Sequence, residues 1–239
     1  MTAPGRRQVE DPGHLRDPAP AVGRRFHDVR GALASRWRSA GLPERRAIFL
    51  KRRGAGAGKL NAMQAQDMGL VLRAAQFAAI RHRMQRRKDR DATPYINHPL
   101  TLADILWREG GVRDARVLAA ALLHDTVEDT RTTHRDLTRE FGAEIAGVVA
   151  EVTDNKRLHK KTRKRLQIEH APGLSKRAKL VKLADKIANL RDMHRSPPAG
   201  WPRTRRREYF DWSRQVVDGL RGTNARLERA FDRAYRHRP

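Results

Sequence analysis

From about residue 66 onward, apolar residues recur with the period of a helix and almost nowhere with the alternation of a strand. Leu70, Ala74, Phe77, Ala78 and Arg81 share one side of a helix predicted over 66–87. A second helix is predicted over 99–109, started by Pro99 and stopped by Gly110-Gly111. The stretch 114–124 is almost wholly apolar, so it belongs at the centre of the fold. Further helices are predicted over 133–141, 144–152, 160–169, 175–193 and 203–236, the last broken near Gly219 or Gly222. The expected fold is all-α, with the folded domain spanning 63–239.

Residues 1–62 differ in kind. They hold five prolines and little periodicity, and fourteen basic against five acidic residues give them a net charge of +9. A mostly disordered basic extension is expected there. Its composition leaves four readings open: an inert tail, an upstream start ahead of Met63 or Met68, a nucleic-acid arm, or an Arg-rich presequence. Only Phe26, Trp37 and Phe49 offer rings for base stacking, which is thin for the nucleic-acid reading. The glycine-rich RGAGAGKLN (53–61) is not a phosphate-cradling loop. Arg53 stands where the first glycine belongs, and Leu60 replaces the hydroxyl residue. It reads as a flexible hinge.

The formal charge of +25 favours anionic partners: nucleic acid, anionic membrane surfaces or phosphorylated small molecules. Seven of the ten residues 156–165 are Lys or Arg, either a solvated helix face or a funnel for an anion. The absence of cysteine excludes disulfides and thiolate metal sites. No apolar run approaches a membrane span, and the amino terminus lacks a secretory core, so a cytoplasmic location is expected.

The candidate chemistry begins in LLHDTVEDT (122–130). Helical geometry continued through it stacks His124 with Glu128 and Asp125 with Asp129. Acids this dense repel one another unless a cation lies among them, although a solvated helix end remains the alternative. TPYINHP (93–99) supplies His98 ahead of a helix start. In KLVKLADKIANL (179–190), Asp185 falls at the edge of a broad apolar arc, with Asn189 one turn along. A carboxylate half-sunk beside a core needs a partner. His98, His124, Asp125 and Asp185 together form a sulfur-free set of two imidazoles and two carboxylates. Such a set suits Mn²⁺ or Fe²⁺ better than Zn²⁺. Histidines 134, 159, 170 and 194 read as surface or helix-end residues. Phe210 and Trp212 read as packing, and Tyr209 either as packing or as a polar contact to a ligand.

In order and spacing, QRRKDRDATPYINHP, AALLHDTVEDT, EVTDNK, KLVKLADKIANLRD and REYFDW resemble the HD-domain hydrolases of the RelA/SpoT type. The likeness covers roughly 66–238 and is nearest to the stand-alone small alarmone hydrolases of the metazoan SpoT-homologue type. It implies a compact bundle of about ten helices around one Mn²⁺, and hydrolysis of the 3′-pyrophosphate of ppGpp or pppGpp to GDP or GTP. It further implies that His98, His124, Asp125 and Asp185 hold the metal, and that Glu128 and Asp129 activate and orient the attacking water. Arg87, Lys88, Lys156, Asn189, Arg205 and Tyr209 would face the nucleotide. Ala92 departs from the pattern, standing where such proteins carry glycine; a positive φ there would strain the loop that carries Arg87 and Lys88. Other outcomes are NADPH 2′-dephosphorylation, or a non-catalytic protein that binds nucleic acid or senses the alarmone. The intact 128–129 acid pair argues against a sensor.

Overall fold

The structure, a computed structural model, describes residues 54–239, with side chains from Gln64 onward. The expected disorder of 1–62 therefore lies almost wholly outside the described residues. Its last stretch is helical: α1 runs Gly54–Arg81, so the supposed hinge begins the first helix. A helix already nucleated by the packed residues beyond 66 extends backward one residue at a time at little cost.

Nine α-helices follow among the described residues: α2 Asn97–Asp104, α3 Ala115–Leu123, α4 Thr126–Asp129, α5 His134–Phe141, α6 Ala143–Val152, α7 Lys160–His170, α8 Lys176–Arg195, α9 Arg203–Asp218 and α10 Ala225–Tyr235. Among the described residues there is no strand, only one antiparallel bridge between Arg86 and Pro94. No described helix is long and apolar enough to cross a membrane.

The core forms around α3, which packs against α1, α2, α6 and α8. Leu122 and Leu123 are essentially inaccessible, and burial of such a side chain stabilises by roughly 1.5–3 kcal/mol. Asp114 caps α3 by accepting from the Arg116 amide. Thr133 and Asp136 form a reciprocal capping box at α5. The helix predicted over 203–236 is two helices, α9 and α10, separated by Gly222 at φ +82° and restarted by Asn224, whose side chain accepts from the Arg226 and Leu227 amides. Beyond α2 the chain widens into a π-helical turn, Ile105–Glu109. Glu109 leaves this turn to accept two bonds from Arg191 of α8, at 2.5 and 2.8 Å.

Two local differences from the sequence expectation shape the site. First, α1 stops at Arg81 rather than continuing to 87. Residues 82–84 turn, and 85–87 then pair with 93–95, the Arg87 amide donating to the Thr93 carbonyl and the Tyr95 amide to the Gln85 carbonyl. Asp89 closes the intervening turn by accepting from the Thr93 amide and hydroxyl at 3.0 and 2.6 Å. Ala92 sits in that turn at φ +48°, in the left-handed region. The cost there is roughly 1–2 kcal/mol for a residue with a Cβ, against roughly 0.4–1 kcal/mol of unfolded-state entropy that glycine would add. Ala92→Gly is accordingly expected to stabilise the protein by about 0.5 kcal/mol, raising the melting midpoint by about 1–2 °C in a thermal melt. Second, helical geometry breaks between α3 and α4, at His124 and Asp125. Asp125 adopts φ −98°, ψ −1°, and the buried Thr126 hydroxyl satisfies the Leu123 carbonyl at 2.7 Å.

Candidate metal centre and active site

That break divides the four functional side chains between the end of α3 and the short α4, instead of the single continuous helix expected for 122–130. His124 ends α3, Asp125 begins α4, and Glu128 and Asp129 occupy its only turn. His98 comes from the first turn of α2, and Asp185 with Asn189 from the middle of α8. One ligating atom each from His98, His124 and Asp185 lie within 4.8 Å of one another. Asp125 is not one of those three, but its Oδ2 lies 2.8 Å from His124 Nε2. His98 and His124 are almost fully buried.

The donor chemistry fits a cation. His124 Nδ1 lies 2.8 Å from the Ala121 carbonyl, which can only accept, so the proton sits on Nδ1. In the neutral ring, the bare Nε2 faces the Asp125 carboxylate at close range, outside hydrogen-bonding geometry. Two lone pairs meet there, an arrangement that a proton or a metal ion resolves. His98 Nδ1 is likewise buried without a partner, and its Nε2 lies 3.3 Å from Asp185 Oδ1.

The electrostatics report the same frustration. Burial opposes the charged form of His124, but the charge and proximity of Asp125, with help from Asp185, overcome it and raise the imidazole to about 9. Burial likewise disfavours an ionised Asp125, yet His124 and His98 hold its carboxyl well below the usual range. Asp185 is kept ionised against burial by Lys186 and the two histidines. His98 moves the other way, lowered chiefly by burial. Glu128 is pushed up to about 7, by burial first and then by the negative charge of Asp125.

Each acid has its supports. Tyr95 donates its hydroxyl to Asp125 Oδ2. Asn189 donates to Asp185 Oδ1 at 2.5 Å, and the buried Lys186 to its Oδ2 at 3.1 Å. Lys186 also donates to Gln167 and lies over the Trp212 ring. Glu128 accepts from the Asp154 amide at 3.1 Å, with Arg163 Nη1 at 3.6 Å. Asp129 is bonded by Lys156 and by Gln85, the latter at 2.8 Å.

A cavity of about 190 Å³ contains the His and Asp donors together with Glu128, Lys186 and Trp212. It adjoins a larger one of about 700 Å³, lined by Lys88, Asp129, Lys156, Trp201 and others; that is the size of a nucleotide-sized ligand site. Arg87, Tyr95, His98, Asn189 and Tyr209 line both. Arg87 spans Asn189 and Asp192, at 3.3 and 2.7 Å. Arg205 is exposed and stacks on Trp201, 4.0 Å from its centroid. Lys156 is half-exposed and paired with the acids. His134, His159, His170 and His194 are exposed, and Phe210 is in the core.

Residues 82–95 and 163–186 supply parts that the sequence reading passed over. Tyr95, Gln85, Arg163, Gln167 and Lys186 act by holding other side chains, and no pattern in one sequence marks a group whose only task is to hold another. Lys186 carried one signal: a lysine that α8 turns inward beside Asp185.

An all-helical fold that gathers two histidines and two aspartates beside a carboxylate pair defines an HD-type phosphohydrolase. The HD domain model matches residues 74–211. The chain is 57% identical over 169 residues to the guanosine-3′,5′-bis(diphosphate) 3′-pyrophosphohydrolase MESH1 of Xenopus tropicalis, covering 71% of this chain and 94% of that protein. It is 56% identical over 168 residues to the Homo sapiens protein of the same name, covering 70% and 94%. A solved structure of a metazoan ortholog of SpoT that hydrolyzes ppGpp aligns with a TM-score of 0.69 and 51% identity, over 71% of this chain and 95% of that one. The chain belongs to the HD-domain family, in its RelA/SpoT-type branch of small alarmone hydrolases.

Proposed function

We propose that the protein cleaves the 3′-pyrophosphate from ppGpp and pppGpp, giving GDP or GTP and pyrophosphate, with one Mn²⁺ held by His98, His124, Asp125 and Asp185. The observation that carries this reading is the convergence of those donors, from three distant segments, beside Glu128 and Asp129. The activity named for the relatives supports it. The ion supplies charge neutralisation at the phosphorus and acidifies the attacking water.

The chain's own residues account for the rest. The water oxygen bonds to the phosphorus attached to the 3′ oxygen, and the 3′ O–P bond breaks. Glu128 and Asp129 jointly take the water's proton and return one to the departing oxygen, each such role being worth roughly 10²–10⁴-fold in rate. Glu128, pushed to about 7, is poised for exchange near neutral pH. Arg87, Lys88, Lys156, Asn189, Arg205 and Tyr209 bind and orient the nucleotide. Lys160 is lowered by partial burial and by the neighbouring charges of Arg205, Lys88 and Arg163, and Lys164 by burial and Lys160. Cations that crowd one another in this way favour an anionic ligand, which supports the funnel reading of 156–165. The hydrolase is assigned to residues 63–239 and to the cytoplasm.

Purified protein incubated with ppGpp and Mn²⁺ is expected to release GDP and pyrophosphate, with KM rising as salt is added. Inert ppGpp alongside cleavage of NADPH or deoxynucleoside triphosphates would move the assignment to another substrate.

A further inference from the structure

We propose that Gln85, oriented by His82, is a positioning residue that holds Asp129 in its working orientation. The inference rests on the reading of Asp129 as half of the catalytic acid pair, and names what aims it.

Gln85 lies just past the end of α1, and its backbone is fixed on both sides. Its amide donates to the His82 carbonyl at 2.8 Å, and its carbonyl accepts from the Tyr95 amide at 3.1 Å. Its side chain is then fixed in direction by chemistry. Asp129 Oδ2, as a carboxylate oxygen, only accepts, so the contact at 2.8 Å must come from Gln85 Nε2. That turns Gln85 Oε1 toward His82 Nδ1, 2.6 Å away, which must carry the proton. His82 Nε2 is buried without a partner. The His82 ring is only 2% exposed and packs on Tyr95, with centroids 4.8 Å apart. Tyr95 in turn donates to Asp125. One aromatic pair thus anchors two arms, one to the metal-site aspartate and one to the acid pair.

The second bond to Asp129 comes from Lys156, whose side chain is 50% exposed. A flexible surface lysine supplies charge but little orientation. Gln85 is neutral and held at three points, so its contribution is direction. Without it, the Asp129 carboxylate is free to follow Lys156 toward solvent.

Steady-state hydrolysis of ppGpp by Gln85→Leu, His82→Phe, His82→Asn, Asp129→Asn and Gln85→Leu/Asp129→Asn tests this. Gln85→Leu is expected to lower kcat roughly 10- to 100-fold, the usual effect of removing an outer support. KM and Mn²⁺ affinity, read by titration without substrate, should stay within about two-fold of wild type. His82→Phe keeps the ring but not the donor, and should lose part of the same kcat. His82→Asn restores an N–H and should recover much of that loss. Gln85→Leu should add nothing in the Asp129→Asn background. Should Gln85→Leu not fold, Gln85→Glu keeps the shape, replaces the donor with an acceptor, and is expected to lose kcat likewise. If Asp129→Asn turns over like wild type, the acid-pair assignment falls and this inference with it. If Asp129→Asn is impaired while Gln85→Leu keeps its kcat, loses metal in proportion, or adds its loss to that of Asp129→Asn, the positioning role alone is overturned.

Discussion

Asp125→Asn is expected to give a folded protein that binds Mn²⁺ at least about 100-fold more weakly and shows no measurable ppGpp hydrolysis at micromolar metal. Asp125 is a better probe than Asp185. Neutralising Asp185 would strand the buried ammonium of Lys186 beside it, which risks the fold through an uncompensated charge. Asparagine at 125 can still accept the Tyr95 hydroxyl bond, so the shape of the site survives while its charge is lost. The same substitution should change how metal binding responds to pH. In the metal-free wild type, His124 is raised to about 9, above the ordinary imidazole value of about 6.5. At neutral pH it therefore carries an extra proton, which a metal at Nε2 must displace. Apparent affinity should climb about tenfold per pH unit and level off near pH 9, with about one proton released per ion at pH 7. Isothermal titration in buffers of differing ionisation enthalpy reads that proton directly. Stability of the metal-free protein follows the opposite course. The contribution of the charged His124 is fully present below about pH 6.5 and is lost as pH rises through about 9. Asp125→Asn removes the charge responsible, so both trends should flatten. Wild-type metal affinity in the variant would overturn the ligand assignment.

What could be read in advance follows the strength of the local signal. The run 114–124 leaves a helix no polar face, so its place at the centre was legible, and α3 occupies it. Asp185 at the margin of an apolar arc was legible for the same reason. It is a charge that the helix carries to the boundary of the core. Periodicity fails where hydrogen bonds outside the helix compete with it. Residues 82–87 have helical spacing, but the chain turns at 82–84, and the turn closed by Asp89 and Thr93 pairs residues 85–87 with 93–95. The break at His124–Asp125 was equally hidden, because Thr126 satisfies the freed carbonyl from within the same segment. Ala92 shows the reverse. The family resemblance, through the glycine that related proteins carry there, raised a positive φ at this position as a condition, and the backbone adopts it. Contacts between groups far apart in the chain, such as Gln85 with Asp129 or Lys186 with Trp212, arise only when the helices meet.

Glu128→Gln should separate chemistry from stability. The amide keeps the length of the side chain and can still accept from the Asp154 amide, so Mn²⁺ binding is expected to persist. Proton transfer is lost, and kcat should fall roughly 10²- to 10⁴-fold. Stability should move in the opposite direction. In the metal-free protein Glu128 is raised to about 7 by burial and by Asp125, whereas an unfolded glutamate titrates near about 4.3. The folded state therefore binds this proton more tightly than the unfolded state does. Wild-type stability drops between those two values as pH rises, and the full cost of the buried charge remains above about 7. Glutamine bears no such cost. The melting temperature of Glu128→Gln, measured with chelator, should exceed that of wild type by a margin that opens between about pH 4.3 and 7 and then stays constant. Adding Mn²⁺ should narrow the margin, because a cation beside Glu128 offsets the repulsion that raises it. The residue would then be one that the fold tolerates at a cost because the reaction uses it. Parallel melting curves at every pH would show that Glu128 is not under this electrostatic strain, and undiminished turnover would remove it from the mechanism.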